Sequence, residues 1–249
     1  MITITNRMPK MLSLALVLFL LASSTTYSQH RAPKNKKQPI RILVADPNVG
    51  TPAIVDRLKK LKFQVKVIPQ QKLDPDRLEL IDVIFLPTQW TEHTALYNHL
   101  ESKKKAFHAF MKRGGGLLVC QPNPPTTMDS VCTPSILPYP ITFKNWYDDA
   151  QPERKNLNPD HYITNDLPAK DMPFPADPIL EIDRRYTILA KQISTGSPSL
   201  AVCQFGDGRV VVQTANENYG ASIPISDEIL RRMIVWAAGR EKTTGKDND

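Results

Sequence analysis

Cys120 ends a short apolar run in KRGGGLLVCQPNPP, residues 112–125. A thiol there is a nucleophile if a base within hydrogen-bond reach converts it to thiolate. Without such a base it is a small apolar residue at the edge of a core. Of five histidines, His93, His99 and His108 fall in one helical stretch and His30 in a basic segment. That leaves His161 as the candidate base, with Glu217 available to orient it. The flanks do not help the nucleophile. Val119 precedes the thiol and Gln121-Pro122 follow it. A G-x-S-x-G turn has small residues there and a helix directly behind. The residues therefore favour a buried or disulfide-bonded Cys120, with a Cys120–His161 hydrolase as the alternative.

A second set is polar and sits where apolar runs stop. Asp46 and Asn48 follow the first run, Gln89 and Trp90 the third, and Gln121 and Asn123 the fourth. Asn216 follows a later hairpin. Amide and carboxylate groups beside an indole suit a hydroxyl-rich ligand, whose oxygens need hydrogen bonds and whose ring can stack. Turn preferences of Asn and Asp explain the same residues without any ligand.

The elements that must position these residues read as follows. IRILVA (40–45), FQVKVI (63–68), DVIFL (82–86) and LLVC (117–120) have the form of buried strands. Helices are expected from Thr51-Pro52 to about Leu61 and over 91–113, with a helical turn over 74–80. The glycines at 114–116 supply the stop. They precede a strand, so they are not a phosphate loop. This alternation predicts a parallel sheet with helices on both faces. After a proline-rich stretch, YTILAKQ (186–192) leads to LAVCQF and RVVVQT around Gly206-Asp207-Gly208, a hairpin. Ser226 caps a last helix reaching about Ala238.

The 249 residues suit one large domain with extensions. Arg7 and Lys10, then LSLALVLFLLA (12–22), then small polar residues to Ser28, form a signal-peptide pattern over 1–28. The apolar run is shorter than the roughly 20 residues of a membrane span, and an uncleaved N-terminal anchor is the alternative. Residues 29–39 form a basic linker, 40–240 the α/β domain, 121–178 a long irregular insertion within it, and 241–249 a polar tail. The formal charge of +7 includes Arg7 and Lys10. The remaining excess lies in a linker and on a helix face with no aromatics interleaved, which argues against nucleic acid. No zinc-type spacing and no cofactor motif is present. Three cysteines in an exported chain leave at least one thiol, and Cys120 with Cys132 is the nearest pair.

The succession ILVAD, DVIFLPTQW, then a helix running into FMKRGGGLLVC resembles class I glutamine amidotransferase-like domains, the ThuA-like and related exported versions above all. HYITNDLP (161–168) resembles their His-Pro-Ile-Thr-x-Gly-Leu-Pro segment, and GDGRVVV (206–212) their Gly-x-Gly-Arg-Val hairpin. The resemblance implies a flavodoxin-like open, mostly parallel sheet with a C-terminal β-hairpin and helix, and a link to sugar metabolism. It departs from amidotransferases proper, because neither a Gly-x-Cys-x-Gly elbow nor a downstream His-x-Glu is present. Tyr162 and Asp166 stand where the related segment has proline and glycine. The expectation is an exported module without a glutaminase site. It would bind a small polar or carbohydrate ligand or, through 121–178, an envelope protein.

Overall fold

The computed structural model describes residues 38–47, 51–88, 90–92, 94–122, 130–144, 153–173, 178–215 and 225–241. The expected signal peptide, most of the basic linker and nearly all of the polar tail lie outside them. Among the described residues no helix is long and apolar enough to cross a membrane.

Four runs read as strands from their apolar content form strands. These are β1 (Arg41–Asp46), β2 (Gln64–Pro69), β3 (Val83–Leu86) and β4 (Gly116–Val119). All four residues of β3 are fully buried, as expected of a parallel strand covered on both faces. Each such side chain contributes about 1.5–3 kcal/mol of transfer free energy. Helices α1 (Thr51–Lys60), α2 (Thr94–Ser102), α3 (Lys104–Lys112) and α4 (Asp227–Ala237) complete the layers.

The hairpin strands β10 (Pro198–Phe205) and β11 (Gly208–Gln213) pair antiparallel, and β11 lies parallel to β4. With β7 (Arg154–Asn156) and β9 (Thr187–Gln192), the large sheet has the order β2-β1-β3-β4-β11-β10-β9-β7. Its first five strands are all parallel. That is the flavodoxin-like order, with β11 as the fifth strand.

Alternation along the strands splits the core in two. Ile42, Val44, Phe85, Leu118, Cys120 and Val211 face α1 and α4. Leu43, Ile84, Leu117, Val119 and Val210 face Phe107, Phe110 and Met111 of α3.

Three expectations are corrected. The helix expected over 91–113 is two helices that break at Lys103. The Ser102 hydroxyl donates to the His99 carbonyl at 2.6 Å, and such back-bonding competes with the helical ladder. The segment read as irregular contains β5 (Val131–Cys132), β6 (Ile141–Lys144) and β7. β5 and β6 join β8 (Ile179–Ile182) in a separate antiparallel sheet of order β5-β6-β8. Finally, Cys120 and Cys132 are not joined. Cys120 belongs to one core layer and Cys132 to the other, and all three cysteines are buried outside any disulfide.

The glycine run does what was expected of it. Gly114 has φ of +88° just past α3. A Cβ on Gly116 would lie 2.4 Å from the Ala237 carbonyl oxygen. Close packing of β4 against the end of α4 therefore requires glycine there.

Candidate functional site

The parallel strands deliver their C-terminal ends to one rim. Val44 pairs with Phe85, Leu86 with Val119, and Val119 with Val212. The residues just beyond these pairs are therefore neighbours: Asp46 after β1, Thr88 after β3, Cys120 and Gln121 after β4, and Thr214 after β11. Asn48, Gln89, Asn123, Asn216 and Glu217, also expected on this rim, lie outside the described residues.

A chain of buried hydrogen bonds locks the rim together. Gln70, at the end of β2, donates Nε2 to the Trp90 carbonyl at 2.8 Å. Trp90 in turn donates Nε1 to the Cys120 carbonyl at 2.9 Å. The loop after β3 is thus pinned to the end of β4 on one side and to β2 on the other. Trp90 is 0% exposed, so its ring belongs to the core and offers no face for a ligand to stack on. Gln213 folds back on its own turn, accepting from the Ala215 N–H at 2.6 Å and donating to the Ala215 carbonyl at 2.7 Å.

One polar group at this rim is left over. The Thr214 hydroxyl is fully buried and has no hydrogen-bond partner among the described residues. An unmade hydrogen bond of this kind costs about 1–3 kcal/mol. The sequence reading missed Gln70, Gln213 and Thr214. Gln70 follows an apolar strand as Asp46 does, and Gln213-Thr214 close β11. The strand-end criterion applied to all five parallel strands finds them.

Cys120 and His161 are not brought together. The His161 ring packs on Trp236 with ring centroids 5.5 Å apart. The Arg209 guanidinium lies 5.1 Å from the same indole, donates to the Trp236 carbonyl and pairs with Glu241. Arg209 pairs with Gly116 at the start of β4, whereas Cys120 follows its end. Four residue steps at about 3.3 Å each separate the two ends of that strand by roughly 13 Å. The His161 Nδ1 also accepts from the Ile163 N–H at 3.2 Å. Its pKa is lowered, first by burial and then by Arg209, with Glu241 acting in the opposite sense. His161 is therefore a neutral packing residue at the far end of the sheet. Cys203 is no substitute nucleophile, because burial pushes its thiol up to about 12. Among the described residues, no group of three or more His, Cys, Asp or Glu could hold a metal ion.

No family model and no curated protein matches the sequence. Solved structures do match. A ThuA-like protein from Bacteroides uniformis is 14% identical with a TM-score of 0.56, over 85% of this chain and 96% of that one. A ThuA-like protein from Parabacteroides merdae is 15% identical with a TM-score of 0.51, over 85% and 94%. A GMP synthase subunit from Thermoplasma acidophilum is 13% identical with a TM-score of 0.55, over 81% and 96%. The chain thus has the class I glutamine amidotransferase-like, ThuA-like fold that the sequence motifs resembled.

Proposed function

We propose that the chain is a non-catalytic module that binds a small polar ligand, a carbohydrate foremost, in the crevice between the tips of β1 and β3. The observation that carries this reading is the strand order. It reverses between β1 and β3, and in open parallel sheets ligands bind outside the carboxyl ends at such a reversal. Asp46 and Thr88 flank that point. The carboxylate of Asp46 is a hydrogen-bond acceptor suited to sugar hydroxyls. The buried Thr214 hydroxyl farther along the same rim, unpartnered among the described residues, adds support. The choice of a carbohydrate follows from the ThuA-like resemblance. Export of the module rests on the signal-peptide pattern of residues 1–28 alone.

The hydrolase reading has no observation in its favour, since the thiol and the imidazole lie toward opposite ends of β4. The binding reading is tested by NMR titration of the chain with a panel of mono- and disaccharides. A binding sugar should shift the amide signals of Ala45, Asp46 and Thr88. Asp46→Ala should weaken it about tenfold, roughly 1.4 kcal/mol. A panel that moves none of these signals, or an affinity unchanged by Asp46→Ala, would sink the proposal.

A further inference from the structure

The crossover from β2 to β3, described throughout, contains no α-helix. Pro69 ends β2 and Pro75 opens a second turn, so only two 3-10 turns, Gln70–Lys72 and Pro75–Arg77, span the gap. A proline inside a helix removes a ladder donor and clashes with the preceding turn. The face of the sheet over β1 and β2 is consequently left with a cleft of about 500 Å³. Small-molecule sites commonly measure about 300–1,000 Å³.

The lining of this cleft is chemically divided. Leu43, Ile68, Leu73 and Leu78 are its apolar part. Lys66, Lys72, Arg77 and Lys103 surround them, with Asp74 as the one carboxylate among the described lining residues. Leu43 pairs in register with Lys66, and strand alternation puts Lys66 and Ile68 on the same face. Arg77 and Lys103 share Asp74, at 3.5 and 3.6 Å. Among the described residues no carboxylate pairs with Lys66 or Lys72, and both are exposed. His99 is engaged elsewhere, its Nε2 3.1 Å from the Leu73 carbonyl.

A lysine on an edge strand also discourages unwanted strand pairing. That role explains Lys66 alone. It does not call for three further cations around an apolar floor.

We propose that this cleft binds a small phosphate monoester with an apolar body, its phosphate held by Lys66 and Lys72 and its body lying on Leu43, Ile68, Leu73 and Leu78. Four cations against one carboxylate leave an excess of three among the described lining residues. That excess suits a phosphate carrying about two negative charges better than a single carboxylate. Charge-assisted bonds from ammonium groups to phosphate oxygens are strong hydrogen bonds. No residue lining the cleft belongs to the Asp46–Thr88 crevice, so the two proposals stand or fall separately.

The test is calorimetric titration of the full chain with phenyl phosphate, inorganic phosphate and phenol. Phenyl phosphate should bind more tightly than inorganic phosphate, and phenol should not bind. Added salt should weaken the binding. The double variant K66Q/K72Q changes two exposed side chains and should keep the melting temperature, while affinity for phenyl phosphate falls about tenfold or more. Asp74→Asn should strengthen binding by removing the opposing charge. Phenyl phosphate that fails to bind, or binds K66Q/K72Q as well as the parent chain, would overturn the proposal. Inorganic phosphate binding as tightly as phenyl phosphate would overturn it too, because the apolar floor would then contribute nothing.

Discussion

His161 accepts a backbone N–H on one ring nitrogen, lies against Trp236 and faces the Arg209 guanidinium. Each of these favours the neutral ring, and burial is the largest effect lowering its pKa. In the unfolded chain the ring returns toward its ordinary value of 6.5 and binds a proton more readily than in the fold. As pH falls through 6.5, the unfolded state therefore takes up more protons, and stability drops. Above that value His161 contributes no pH dependence. The expected outcome is that the parent chain loses more stability than His161→Gln between about pH 7.5 and about pH 5.5 in urea unfolding. Equal losses in the two chains would show that the ring is not held neutral. The same residue shows a limit of the sequence. HYITNDLP identified a folded-back segment correctly, but nothing in it tells which end of the sheet the histidine meets. Only the packing of Trp236 and Arg209 decides that.

At the scale of elements, α1 ends in a way its sequence does not advertise. The Phe63 N–H bonds the Leu58 carbonyl at 3.2 Å, and the Lys62 N–H bonds that of Lys59 at 3.0 Å. This is a Schellman motif, and its left-handed position is filled by Lys62 at φ +67° rather than by glycine. A residue with a Cβ pays about 1–2 kcal/mol in that conformation. Lys62→Gly, at an exposed position with no ion pair among the described residues, should raise unfolding free energy by about 1 kcal/mol; a loss of stability would contradict the motif. Legibility of the other elements follows burial. β1, β3 and β4 are covered on both faces and read as unbroken apolar runs. β5, β6 and β7 are two to four residues long and are set among prolines. Too few residues alternate there for a period of two to emerge. The long helix was misjudged because its apolar stripe continues through the break at Lys103, where a serine hydroxyl takes over a backbone carbonyl.

For the whole molecule, the large sheet determines what can meet what. Five parallel strands bring Asp46, Thr88, Gln121 and Thr214 to one rim, and they hold Cys120 and His161 toward opposite ends of β4. The rim was legible because strand order follows from alternation of apolar runs and helices, and strand ends follow from strand order. The fate of individual rim residues was not. Trp90 looks like a stacking platform in sequence, yet it is the buried link between Gln70 and Cys120. The phosphate-type cleft was invisible for a different reason. Its cations are spread from Lys66 to Lys103, and they converge only because a crossover without a helix leaves the sheet face open.

The central claim is that this fold presents a rim for binding and keeps its thiol out of reach. Iodoacetamide labelling at neutral pH, read by mass spectrometry peptide by peptide, tests it most directly. The account predicts that Cys120 stays unmodified in the folded chain and is alkylated only after denaturation. Rapid alkylation of Cys120 in the native protein would contradict it and return the thiol to the status of a nucleophile.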